Sequence, residues 1–218
     1  MKSTPLIISG SMIRAYMEGR KCVTRRTKGL DLFNIPSKDG LYGGPDDWVY
    51  CLWFNHNKKR SDESRPYTHH VFLHKKTELA YSIKFPFGGA GDELYFRENW
   101  GTYQQWDHLS PKQVERHSLA KRIIRYQVEG EHKYIKKWRP SIHLPKSLCR
   151  FEHVPIVSVR PERLLPMTSV DVLEEGFNTS TDFIEFWNEK NEHKGLGTEV
   201  NPWVWRIEFE PFQSSSNP

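Results

Sequence analysis

Cysteine is scarce: Cys22, Cys51 and Cys149 are the three in a chain of 218 residues. An odd number, widely spaced and without a C-x-x-C pair, excludes a disulfide framework and argues against a zinc-ribbon pattern. No G-x-x-x-x-G-K-S/T occurs, so nucleoside triphosphate hydrolysis on a P-loop is unsupported, and GGAG at 88–91 reads as a turn. No run approaches 18 consecutive apolar residues, and the opening MKSTPLIISGS lacks the apolar core of a secretory signal. We therefore expect a cytoplasmic protein with reduced thiols and no membrane partner. Internal repeats are also absent.

What is present is aromatic and basic. Eight Trp, nine Tyr and twelve Phe supply much of a 37% hydrophobic content, which favours sheet packing and offers stacking surfaces. The formal charge is +5 and the sequence pI near 9.0, which fits a polyanionic partner without demanding one.

PLIIS (5–9) reads as a short buried strand. Met12, Ile13, Tyr16 and Met17 then fall at helical spacing, with Ser11 as N-cap and Gly19 past the end. Residues 28–82 are the least regular, and we read 30–82 as an insertion or long loops, with WVYCLWF (48–54) a buried strand inside. In GDELYFREN, Leu94 and Phe96 share one face of a strand; Glu93, Tyr95 and Arg97 share the other. Residues 108–122 read as weakly helical or loop, and 123–130 and 150–164 as strands. Thr168 and Asp171 have capping-box spacing for a short helix through Glu175, and a second helix over about 180–190 buries Phe183, Ile184 and Trp187. In PWVWRIEFE, Trp203, Trp205, Ile207 and Phe209 alternate inward; Arg206, Glu208 and Glu210 alternate outward. At least five strands with few, short helices predict a mixed sheet or small barrel. The chain reads as one domain, 1–218, with a disordered tail at 212–218.

The stretch EGRKCVTRR (18–26) holds basic groups, a thiol and a hydroxyl just past the first helix. Attraction to the helix C-terminus explains one or two of those cations, at a few tenths of a kcal/mol each.

The pieces SGSMIRAYMEGRKCVTRR, GDELYFRENW, KWRPSIHLPKSLCR, PMTSVDVLEEGF and NPWVWRIEFE stand in an order that resembles the ASCH-domain family of the PUA-like superfamily, especially its phage and prophage members. The resemblance spans residues 6 to about 211. It implies an α+β fold, a PUA-like mixed β-barrel with flanking short helices, and a cleft for RNA, a nucleoside or a modified nucleobase, with no cofactor. Small bacterial members are N4-acetylcytidine amidohydrolases. Their GRK-x-x-T motif and later Glu match Lys21, Thr24 and Glu175 here, which the resemblance makes the catalytic group. This chain is about twice the length of those hydrolases, with added material around 30–82 and 100–145. A non-catalytic RNA or modified-base binding module, and a ribonuclease-like activity in the same basic cleft, are the alternatives.

On their own chemistry, a threonine hydroxyl needs a base beside it, and a neutral lysine is one recognised choice. Arg20, Arg25 and Arg26 would push Lys21 toward neutrality, and Glu175 would oppose them, so the base stays open between Lys21 and Glu175. With Glu175 as acid/base and Lys21 holding an oxyanion, no neutral lysine is required. In a regular strand Lys21 and Thr24 would face opposite sides, so a turn is needed for them to meet. Arg25 and Arg26 would hold phosphate oxygens or pair with Glu98 or Asp92. Trp100, Tyr103 and Trp106 would stack a base or pack the core, and Trp138, Arg139 and Ser141 would line the same cleft. His69, His70 and His74, with Cys51 and His56, lack metal-site spacing and read as a solvated loop; we expect no metal. Cys22 is either a thiol activated by the basic run or a core residue.

Overall fold

The structure is a computed structural model and describes residues 1–51 and 69–213. The chain opens with β1 (Ser3–Ile7) and α1 (Gly10–Met17), whose N-cap is Ser9 rather than Ser11: Ser9 Oγ accepts from Met12 N at 3.4 Å. After a turn through Gly19 come β2 (Val23–Arg26), α2 (Asp31–Asn34) and β3 (Trp48–Cys51). β4 (His69–His74), β5 (Ala80–Lys84), β6 (Glu93–Arg97) and β7 (Trp100–Thr102) follow. Next are α3 (Pro111–Arg116), α4 (Ala120–Ile123), β8 (Ile124–Tyr126) and β9 (Trp138–Arg139). The chain then completes the fold with β10 (Val154–Arg163), α5 (Ser169–Glu174), α6 (Ser180–Asn191) and β11 (Trp203–Phe209).

Among the described residues this is a mixed α+β fold with short helices and three sheets. The main sheet runs β1-β6-β10-β11-β2, and β3-β4-β5 and β8-β7-β9 are separate; among the described residues none closes into a barrel. β1 lies parallel to β6, and the other main-sheet pairs are antiparallel. Period-2 alternation drives the assembly. Leu94 and Phe96 enter the main core with Trp205, Ile207 and Phe209, while Tyr95 enters a second core beneath β8-β7-β9.

The polar-looking segment differs most from expectation. Residues 69–84 form a hairpin, and Phe33, Trp48 and Phe72 join the main core, so this part is not loop. His70 and His74 are buried, with ring centroids 4.8 Å from Trp205 and 4.9 Å from Trp48. The inward set at 70, 72 and 74 has strand period, but two of its members are histidines and disguise it. The expected solvated histidine loop is thus corrected where the chain is described; His56 and residues 52–54 lie outside the described residues. Residues 127–129, expected in a strand, make a 3-10 turn. At the C-terminus Phe212 packs edge-on to Phe151 at 5.5 Å, so the expected disordered tail does not begin at 212; residues 214–218 lie outside the described residues.

Both faces of β11 are covered. Trp203, Trp205, Ile207 and Phe209 face the main core as expected, yet Val204 packs with Phe183 and Trp187 of α6, and Arg206 is 7% exposed. Arg206 pairs with Glu174 at 2.7 Å and Glu208 at 3.2 Å, which corrects the expectation that it points to solvent. Helices α5 and α6 supply the cover that alternation in one strand does not reveal.

Candidate functional site

The site forms where α5 ends against the start of β2. Thr168 and Asp171 make the predicted capping box, and Glu175 caps the helix C-terminus. Gly176 follows at φ +92°, and a Cβ there would lie 2.9 Å from Ala15 Cβ and 3.4 Å from Lys21 Cβ. Glycine therefore lets α5 close onto α1. Cys22 N donates to Glu174 O at 3.0 Å and docks the basic stretch on that helix end.

Lys21 is completely buried, and its Nζ donates to Val23 O (2.7 Å), Glu175 O (2.7 Å) and Glu175 Oε2 (3.0 Å). Burial lowers the Lys21 pKa from the ordinary lysine value, while the charge and hydrogen bond of Glu175 work upward. Three oxygen acceptors match the three N–H donors of an ammonium and leave no place for an amine lone pair. Arg25 is the second cation on this carboxylate, at 3.4 Å from Glu175 Oε1. Arg25 also bonds Glu162 at 2.9 Å and Asp171 at 2.8 Å, replacing the expected pairing with Glu98 or Asp92.

Thr24 occupies the other face of β2. It pairs in register with Ile207 on the main-core side, whereas Arg25 pairs with Arg206 beneath α5. Its hydroxyl is buried and has no hydrogen-bond partner among the described residues. Lys21 and Glu175 are therefore brought together, while Thr24 bonds neither. Thr24 shares its strand face with Arg26, two residues on.

A cavity of about 900 Å³ opens beside this cluster. Arg25, Arg26 and Glu175 line it, as do Glu98 and Ser141 from the opposite part of the fold. Arg14, Lys28, Lys190 and Lys194 also reach it, so cations outnumber the two carboxylates on its wall. Arg26 donates to Ile7 O at 3.1 Å. Glu98 is held bidentately by Arg150, at 3.0 and 2.6 Å; burial raises its pKa and Arg150 opposes that shift. Sequence reasoning missed the apolar wall, where Phe183, Phe186 and Trp187 of α6 join it, because the helical pattern of α6 reads simply as core.

Arg20, Trp100, Trp138 and Arg139, expected as ligand contacts, fall outside the cavity, as do Tyr103 and Trp106. Arg20 is exposed and pairs with Glu18 at 2.5 Å. Trp100 is fully buried in the second core, under Arg139 at 4.9 Å, and so is packing rather than a stacking platform. Arg139 donates to Leu109 O (2.8 Å) and Asp107 O (3.1 Å) and clamps that loop. Trp138 is half-buried on β9, away from the cavity wall. The Cys22 thiol is pushed up by burial, then by Glu174, against the activated-thiol reading.

Asp171 carries a pH signature. Burial works against its charge, but hydrogen bonds from Thr168 and Arg25 hold its carboxyl down at about 2. An unfolded aspartate titrates near 3.9, so its stabilising contribution is present above about pH 4 and lost as pH falls toward 2. Acid unfolding of Asp171→Asn, followed by circular dichroism, should show a shallower loss of stability across that window. An unchanged slope would mean that this carboxyl is not held by its neighbours.

Comparison with protein-family models, with curated proteins and with solved structures yields no match to this chain.

Proposed function

We propose that this chain is an ASCH-type, PUA-like protein whose cavity takes a modified cytidine, free or within RNA, and hydrolyses its N4-acyl amide. The observation that carries the reading is that Glu175 lines a basic cavity and is held from behind by the buried Lys21, 154 positions away in the chain. A barrel-like closure is supported by Arg26, which ties the end of β2 to Ile7 O of β1 and so links the two edges of the main sheet.

Glu175 takes the proton of an attacking water as its oxygen adds to the acyl carbon. The C–N bond of the adduct then breaks as Glu175 returns a proton to the exocyclic nitrogen, releasing amine and carboxylic acid. Lys21 is a positioning residue that holds Glu175, and Arg25 and Arg26 supply positive charge near the developing oxyanion. Water is favoured over Thr24 as nucleophile because no base bonds the Thr24 hydroxyl. Thr24 is buried on the main-core face of β2 and does not line the cavity. Thr24→Val, which removes a buried unpaired group at constant shape, should leave the melting temperature equal or higher and turnover unchanged. A lower melting temperature would show that the hydroxyl has a structural partner.

A non-catalytic binding module is the second reading, favoured by the burial of Lys21 at 0% and Glu175 at 2% exposure. Incubation with N4-acetylcytidine and with acetylated RNA, read by chromatography for the deacetylated base and acetate, separates the two. Absence of product from both substrates overturns the hydrolase.

A further inference from the structure

The positive charge of this chain is concentrated in one stretch. Residues 108–139 hold nine Lys and Arg against three Glu, +6, and the rest of the chain sums to −1. Part of this stretch builds the small sheet β8-β7-β9, away from the Lys21–Glu175 pair. Four cations on it, Arg122, Lys133, Lys136 and Lys137, are exposed and make no ion pair among the described residues. Aromatic rings are interleaved with them. Arg125 lies 4.9 Å from the Tyr103 ring and bonds its hydroxyl, Tyr103 sits edge-on to Tyr134 at 6.2 Å, and Lys133 is 5.7 Å from the Tyr134 ring. Tyr134 is 58% exposed, and with Tyr103, Gln104 and Gln105 it lines a second, open concavity of about 710 Å³.

We propose that this surface binds single-stranded RNA and leads it to the main cavity. Unpaired cations fit phosphates, and half-open tyrosines fit unstacked bases, which a duplex does not present. The two places are adjacent along the chain: Arg125 is on the surface in β8, while Gln127 and Val128, in the 3-10 turn that directly follows β8, line the main cavity. The choice of RNA over DNA rests on the ribonucleoside reading of that cavity.

The test is fluorescence anisotropy of a short, labelled, unmodified single-stranded RNA across a salt series. That RNA carries no acyl group, so the result does not depend on whether the cavity hydrolyses anything. Combined Lys133→Ala, Lys136→Ala and Lys137→Ala should weaken binding at least about tenfold and reduce the log–log salt slope by about 2. Tyr134→Ala should weaken it about fivefold or more with the slope unchanged. Both variants alter exposed side chains, and circular dichroism checks that they fold. Equal affinity of the triple variant and wild type overturns the proposal. So does equal or tighter binding to duplex RNA, to single-stranded DNA of the same sequence, or to vesicles containing phosphatidylserine.

Discussion

Lys21→Met is expected to destabilise the protein by about 3–5 kcal/mol, because it strips one counter-ion from a carboxylate that is 2% exposed. For a chain of this size that is a fall of roughly 6–20 °C in melting temperature. The methylene stem of Met fills much of the space of Lys, so the loss reports the ammonium and its three acceptors rather than a cavity. Combining Lys21→Met with Glu175→Gln should recover part of the loss, since the uncompensated charge is then gone. Calorimetric melting of the two single variants and the double variant measures the coupling. Strict additivity would mean that Lys21 and Glu175 act independently, and the description of the site as one ion-paired unit would fall.

Glu175→Gln alone should lower turnover of an N4-acylated cytidine by about 10²–10⁴, the range of a lost general acid–base. Glutamine still presents a carbonyl oxygen to Lys21, so the fold should lose less than with Lys21→Met. The comparison to make is kcat from product chromatography beside the melting temperature. A large kcat loss with a modest melting shift separates chemistry from scaffolding. A kcat reduced less than about tenfold removes Glu175 from the acid–base role.

Several elements were legible before any coordinates. The Thr168–Asp171 capping box stands where its spacing placed it, as do the alternation of Trp203, Trp205, Ile207 and Phe209 and the two faces of β6. These signals are local: a cap spans one turn, and a strand repeats every second residue. Arg206 misled because alternation in β11 reports the face it loads, not what covers the opposite one. His70 and His74 misled because a histidine in a buried strand looks polar in a hydropathy pattern.

The site divides in the same way. By itself the amino-acid order determined that Lys21, Arg25 and Arg26 lie close to one another just past a short helix, and that Glu175 caps a later one. It could not assign partners to those charges. Arg25 takes Glu162, Asp171 and Glu175 rather than Glu98, which Arg150 claims, because only folding decides which carboxylates are buried within reach of which guanidinium. Nor could it show that the Thr24 face of β2 would be the one turned to the main core, since that depends on how the strand docks against β11. Composition and local periodicity act over a few residues and settle the elements. Ion pairing in a buried cluster acts over a few ångströms between groups some 140 to 150 positions apart, and three-dimensional packing alone brings them together.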